Sequence, residues 1–134
     1  MAQRIEEIKV NKSEISRKCR YRGRNNEYGT VYYLRSYFEE NIKPDIEWSV
    51  NRIELSGAGR KKGDIEIVVN GETVVLSLKE SQAGFKTQYK HLDEAEKDGI
   101  KTVGMRGHGE RYQRTVMAMY LNEYLKIRFG RYMK

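Results

Sequence analysis

The chain has 134 residues, with 26 Lys and Arg against 19 Asp and Glu, a net charge of +7 and 38% hydrophobic residues. That length suits one domain of ordinary size, and no stretch approaches the roughly 20 apolar residues of a spanning helix, which excludes a helical membrane protein. Mean hydropathy is low, −0.83, yet ten tyrosines and patterned Ile, Val and Leu runs argue against disorder. A single cysteine, Cys19, cannot form an internal disulfide, and no apolar signal segment follows Met1, so an intracellular setting is expected.

The charge is unevenly placed. Residues 1–25 carry eight basic and three acidic side chains, residues 100–134 eight and two, and the centre ten and fourteen. Cationic flanks around an acidic middle suit a protein that grips a polyanion, because each Lys or Arg set on a phosphate releases condensed counterion. DNA, or RNA, is the expected partner. The densest cluster, Arg17, Lys18, Arg20, Arg22 and Arg24, lies in a basic N-terminal arm over residues 1–25. A solvated leader would have the same composition.

Past the arm, Val31, Leu34, Phe38 and Ile42 recur at helical spacing behind Asn25 and Asn26, either of which can cap, so the first helix is expected from Glu27 to Asn41. Pro44 then marks a loop. Trp48 to Leu55 reads as a strand, followed by a basic loop with Arg60, Lys61 and Lys62. Asp64–Val69 and Thr73–Lys79 are β-rich runs joined by Asn70-Gly71, a strong two-residue hairpin signal. A helix is expected from about Thr87 to Lys97, ended by Asp98-Gly99. A short strand follows over Ile100–Met105, then a long helix from Glu110 to about Arg128 with Val116, Met117, Tyr120, Tyr124 and Ile127 along one side. The order predicts one small α/β domain over residues 1–134 with a mixed sheet, closed by a C-terminal helix and basic tail over residues 110–134.

The hairpin fixes a register. With Asn70-Gly71 as the turn, Asp64 falls opposite Ser77 and Glu66 opposite Val75, so Asp64, Glu66, Ser77 and Lys79 share one face, while Ile65, Ile67, Leu76 and Leu78 form the apolar other. Directly opposed side chains start about 5 Å apart. Such polar residues also make the wet side of an ordinary half-exposed hairpin. Two features point further. Lys79 ends the apolar run from Val74 to Leu78, which would sink its stem into the sheet and call for a carboxylate. Glu27 shares the stripe of Val31, Leu34 and Phe38, although a carboxylate in the first turn of a helix is also a helix-end ligand.

These residues resemble the PD-(D/E)XK nuclease superfamily, and within it the archaeal-type Holliday junction resolvases, from about Arg17 to Met105. A basic arm precedes a helix with an acidic residue, matched by Glu27 in "RGRNNEYGTVYYL". A strand runs into a Ser-Gly loop, matched by Ser56 in "LSGAGRKKGD". An Asp opens a hairpin that an acidic-X-Lys closes, matched by Asp64 and Lys79 in "GDIEIVVNGETVVLSLKES". Gly63 stands where the family has proline, and Ser77 where it has its Glu. Some restriction endonucleases of the superfamily carry Ser-X-Lys and recover the carboxylate about one helix further along, which lands on Asp93, with Glu94 beside it; Glu66 is a second substitute.

The resemblance implies a restriction-endonuclease-like core, a central mixed β-sheet flanked by helices, and Mg²⁺- or Mn²⁺-dependent hydrolysis of DNA, structured or branched in particular. It implies metal ligands at Asp64, Asp93 (or Glu94, Glu66) and the Leu78 carbonyl, catalytic roles for Lys79 and for Glu27, which would complete the site or hold a second ion, and a phosphate contact at Ser56. A homodimer is also implied, with the last helix as its seam. A relative that binds DNA or RNA without cutting is the alternative that Ser77 keeps open. A protein-interaction module has only charge in its favour. The other polar residues carry little: His91 and His108 have no ligand partner at metal spacing, Cys19 reads as a passive thiol, Gly104–Gly109 lacks the Lys-Ser/Thr of a phosphate loop, and Tyr112, Met117, Tyr120 and Tyr124 read as core or dimer seam rather than a base-stacking surface.

Overall fold

The computed structural model describes residues 26–54 and 63–134. Within them the chain forms two compact units, the first running through Glu80 and the second spanning Ser81–Met133. Both combine helix with antiparallel sheet, so the chain is mixed α and β as expected. Every strand pairing among the described residues is antiparallel, which replaces the mixed sheet of the sequence reading with two small sheets.

In the first unit, α1 covers 26–41 and buries Val31, Leu34, Phe38 and Ile42, the four positions whose spacing predicted it. Asn26 is already helical, and its carbonyl accepts the Thr30 hydroxyl at 2.7 Å. Three strands follow: β1 (Trp48–Arg52), β2 (Ile65–Val69) and β3 (Glu72–Leu76), with β2 in the centre. Val50, Ile65, Ile67 and Val69 are buried. Helix and sheet meet along β1, where the Phe38 and Trp48 rings lie edge to face at 5.6 Å and Arg35 Nε donates to the Val50 carbonyl at 2.9 Å.

The β2–β3 hairpin has the predicted register, Val69 opposite Glu72 through Ile65 opposite Leu76. Its turn residues have φ of 49° at Asn70 and 81° at Gly71, the left-handed pair that a tight hairpin turn demands. Pairing stops at Leu76, three residues short of the expected Lys79.

In the second unit, α2 (Lys86–Lys97) ends as predicted at Asp98-Gly99, where Gly99 takes a φ of 78°. β4 (Val103–Met105) pairs antiparallel with β5 (Val116–Ala118), Gly104 facing Met117. The helix expected from Glu110 begins only at Leu121: a 3₁₀ turn at Tyr112–Arg114 and then β5 occupy its first half, and α3 is Leu121–Phe129. The physical reason lies in which residues are buried. Leu125 and Phe129, one turn apart, are fully buried, while Val116, Met117 and Ile127 of the proposed apolar side are each more than 60% exposed. The adjacent β-branched pair Thr115-Val116 favours extended backbone, and glycine opposite Met117 leaves room for the strand partner.

Candidate functional site

Asp64 is held at the open end of the hairpin by its backbone, since its N–H donates to the Leu76 carbonyl and its carbonyl accepts from Ile53, both at 2.9 Å. Its side chain continues where the ladder ends. Oδ2 accepts the Leu78 N–H at 2.6 Å, and the Ser77 hydroxyl stands 3.5 Å from the same oxygen. A carboxylate thus serves the amide that a strand carbonyl would have served, which is why β3 ends early. Charge-assisted bonds of this kind are short and strong.

This contact joins Asp64 to the Ser77-Leu78-Lys79 segment as the sequence predicted. Lys79 itself is solvent-exposed and lies beyond the end of the ladder, so the expectation that its stem lies deep in the sheet is corrected. Glu66 lies opposite Val75 and Asn51 and alternates with the buried Ile65 and Ile67, which sets it on the face away from them, with Asp64 two positions before it.

Gly63 has a φ of 106°, a conformation closed to proline, which is locked near −65°. A Cβ there would collide with the Val75 side chain. The missing proline of the resemblance therefore reflects a backbone path of this chain's own.

Glu27 is engaged elsewhere. Its Oε2 accepts Arg52 Nε at 2.6 Å, with the two side chains 21% and 24% exposed. The Arg52 guanidinium also donates to the Tyr28 hydroxyl at 2.9 Å and lies 4.8 Å from the centre of that ring. The hydrogen bond to Glu27 holds the Arg52 guanidinium above its ordinary value; desolvation opposes it, and the Tyr28 and Glu27 charges add to the rise. Arg52 is the cross-strand neighbour of the buried Ile65, so it and Glu27 belong to the buried face of the sheet, not to the face of Glu66.

In the second unit, Asp93 is exposed and its Oδ1 accepts the Tyr120 hydroxyl. That hydrogen bond, with desolvation and the Asp93 charge behind it, pushes Tyr120 up to about 12. His91 and His108 are exposed. Ser56, the arm residues Arg17, Lys18, Arg20, Arg22 and Arg24, and the loop residues Arg60, Lys61 and Lys62 lie outside the described residues.

Among the described residues, no three His, Cys, Asp or Glu side chains gather as a metal-binding group. The donors fit a hard divalent ion only in its most open form. Mg²⁺ keeps several waters and is commonly bound through one or two carboxylates together with substrate phosphate. Among the described residues both contacts to Asp64 are made to Oδ2, which leaves Oδ1 as the donor; Glu66 stands two positions later, in β2. No helix among the described residues is long and apolar enough to cross a membrane.

One region departs from the expectation that Tyr120 belongs to the core, since its ring is 38% exposed and lines a cavity. A cavity of about 650 Å³ lies within the second unit, walled by Phe85, Tyr89 and Tyr120 and bordered by Arg106 and Arg114. Its aromatic residues come from α2, its N-terminal flank and the segment before α3, so no single periodic stretch announces it. Comparison of the chain with protein-family models, curated proteins and solved structures finds no match in any of the three.

Proposed function

We propose that this chain is a metal-dependent endonuclease acting on DNA of branched or duplex form. The observation that carries the reading is the 2.6 Å bond from the Leu78 N–H to Asp64, which ties an aspartate to a Ser-X-Lys segment across a hairpin of predicted register. Asp64 through Oδ1, with Glu66 as the second candidate carboxylate, would hold Mg²⁺ or Mn²⁺ jointly with a nucleic-acid phosphate. A bound ion supplies an acidified water and positive charge at the phosphate.

The chain's own residues do the rest. Leu78 N–H and the Ser77 hydroxyl fix the Asp64 carboxylate in one orientation. Lys79, exposed at the hairpin's end, offers an ammonium to the charge that grows on the phosphate oxygens. The net +7 favours encounter with a polyanion.

The test is incubation of the protein with labelled four-way junction, duplex and single strand in Mg²⁺, in Mn²⁺ and in chelator. Metal-dependent cleavage is expected, lost in Lys79→Ala with binding within a few-fold of the parent. Cleavage that survives Lys79→Ala or chelator would refute the assignment.

A second reading, binding of DNA or RNA without cleavage, draws on a specific observation. Glu27 and Asp93, two of the carboxylates that the resemblance enlists, are bonded to Arg52 and Tyr120. Salt-sensitive binding with no cleavage under any metal favours that reading.

A further inference from the structure

We propose that the cavity of the second unit is a pocket for an unstacked base of single-stranded nucleic acid, with Arg106 and Arg114 taking the adjoining phosphate. This deepens the nucleic-acid reading above and does not depend on cleavage.

The volume, about 650 Å³, falls within the range of small-ligand sites. Three aromatic side chains wall the cavity and remain partly open to solvent: Phe85 at 39%, Tyr89 at 52% and Tyr120 at 38% exposed. The Tyr89 and Tyr120 rings are within 28° of parallel with centroids 6.3 Å apart, and Phe85 meets Tyr89 edge to face at the same distance. Exposed, near-parallel rings on an apolar floor of Leu92, Met105 and Met119 suit a flat aromatic guest. Every nucleobase has such a face, and aromatic platforms of this kind bind single strands without regard to sequence.

The polar groups single out a nucleotide from other flat guests. Two guanidinium groups and one carboxylate, that of Glu110, border the cavity, and Gln88 supplies an amide that can meet a base edge. Arg106 is stationed in place: it lies 4.7 Å from the centre of the Tyr112 ring and donates to the Glu110 carbonyl. Arg114 meets Glu110 through Nε at 3.3 Å, one of the five donors of its fork. Residues 81–133 carry ten basic against six acidic side chains, so a phosphodiester chain is attracted to this unit as a whole.

The wall is also held in advance of binding. The Tyr120 hydroxyl donates to Asp93, which fixes the ring's orientation. Duplex DNA, its bases stacked inward, cannot present a face to such a cavity without extruding one.

The test uses the full chain and a single-stranded oligonucleotide carrying one 2-aminopurine, a base whose fluorescence is quenched on stacking. Quenching is expected on binding. Tyr89→Leu and Tyr120→Leu should each abolish it and weaken binding about 5- to 100-fold, while Tyr89→Phe and Tyr120→Phe retain both. Arg114→Ala should reduce the salt slope by about 0.7. An oligonucleotide of abasic sites should bind the unaltered protein at least as weakly as the intact strand binds the leucine variants.

Equal affinity for abasic and intact strands overturns the proposal, and needs no variant to fold. So does quenching that persists in Tyr89→Leu, whose ring is half exposed. Loss of cleavage, or its absence, with quenching intact leaves this pocket standing and ends the endonuclease reading alone.

Discussion

Asp64 reaches past the end of its own strand pair to Leu78, its Oδ2 accepting the Leu78 N–H at 2.6 Å. One carboxylate therefore has two tasks under the proposed function: it finishes the hairpin through Oδ2 and is offered to a cation through Oδ1. The two are separable by substitution. Asn can still accept from Leu78 and has no charge, whereas Ala can do neither. Asp64→Asn should lose about 1 kcal/mol of unfolding free energy, the difference between a charged and a neutral hydrogen bond, and Asp64→Ala about 2–3 kcal/mol for the unmet amide and the lost bond together. Both should lose metal-dependent cleavage. Cleavage in Asp64→Asn at the parent's rate would remove Asp64 from the chemistry.

The first unit was legible in the sequence because its determinants are local. The helical spacing of Val31, Leu34, Phe38 and Ile42 and the left-handed demand of Asn70-Gly71 each rest on neighbours a few residues apart, and helix, turn and register all followed. The long helix from Glu110 was misread because Val116, Met117 and Tyr120 fit a helical stripe equally well. What decides between helix and strand there is a distant partner, β4, whose Gly104 faces Met117. Of the candidate site, only the approach of Asp64 to the Ser77-Leu78 segment could be read, because the hairpin register leads up to it at the Ile65–Leu76 pair. That Arg52 claims Glu27 and Tyr120 claims Asp93 depends on approaches over 25 and 27 residues, which no spacing rule encodes.

The Glu27–Arg52 pair is predicted to act on stability. Its side chains are largely covered and the bond is short, so a double-mutant cycle over Glu27→Gln and Arg52→Met should give a coupling of about 1 kcal/mol. Tyr28→Leu should weaken the coupling, because it removes both the hydroxyl and the ring that hold the guanidinium. In the nuclease assay, Glu27→Gln should reduce cleavage no further than its loss of folded protein explains. A cleavage defect of a hundred-fold or more in a well-folded Glu27→Gln protein would place Glu27 in the site.

Two glycines frame the hairpin and should respond differently. Gly71 sits in the left-handed region with open space around it, so Gly71→Ala should cost only the backbone term, about 1 kcal/mol. Gly63 combines a φ of 106° with a close approach to Val75, so Gly63→Ala should cost about 2 kcal/mol or more and displace Asp64 next to it. Gly63→Pro, which would restore the motif of the resembled family, should be the most damaging of the three, since proline cannot adopt that φ. Chemical denaturation ranks them, and a Gly63→Pro protein as stable as the parent would contradict the backbone path.

The Tyr120–Asp93 bond gives a pH signature. A tyrosine whose folded value is raised from 10.0 to about 12 favours the folded state while its phenol is protonated. That contribution is complete below the unfolded value near 10 and is lost as pH climbs through about 12, because the tyrosinate formed beside Asp93 repels it. Ultraviolet titration of the ten tyrosines should therefore show a late step that Tyr120→Phe removes and Asp93→Ala shifts down toward 10. The melting temperature of the parent relative to Tyr120→Phe should hold steady up to pH 10 and fall above it. Asp93 is also the residue that the Ser-X-Lys resemblance would enlist as a metal ligand, and an ion there would compete with the phenol for Oδ1. Because the phenol already holds that oxygen, saturating Mn²⁺ at neutral pH should leave the near-ultraviolet absorbance difference between the parent and Tyr120→Phe unchanged; a change in that difference on adding metal would instead return Asp93 to the cation site.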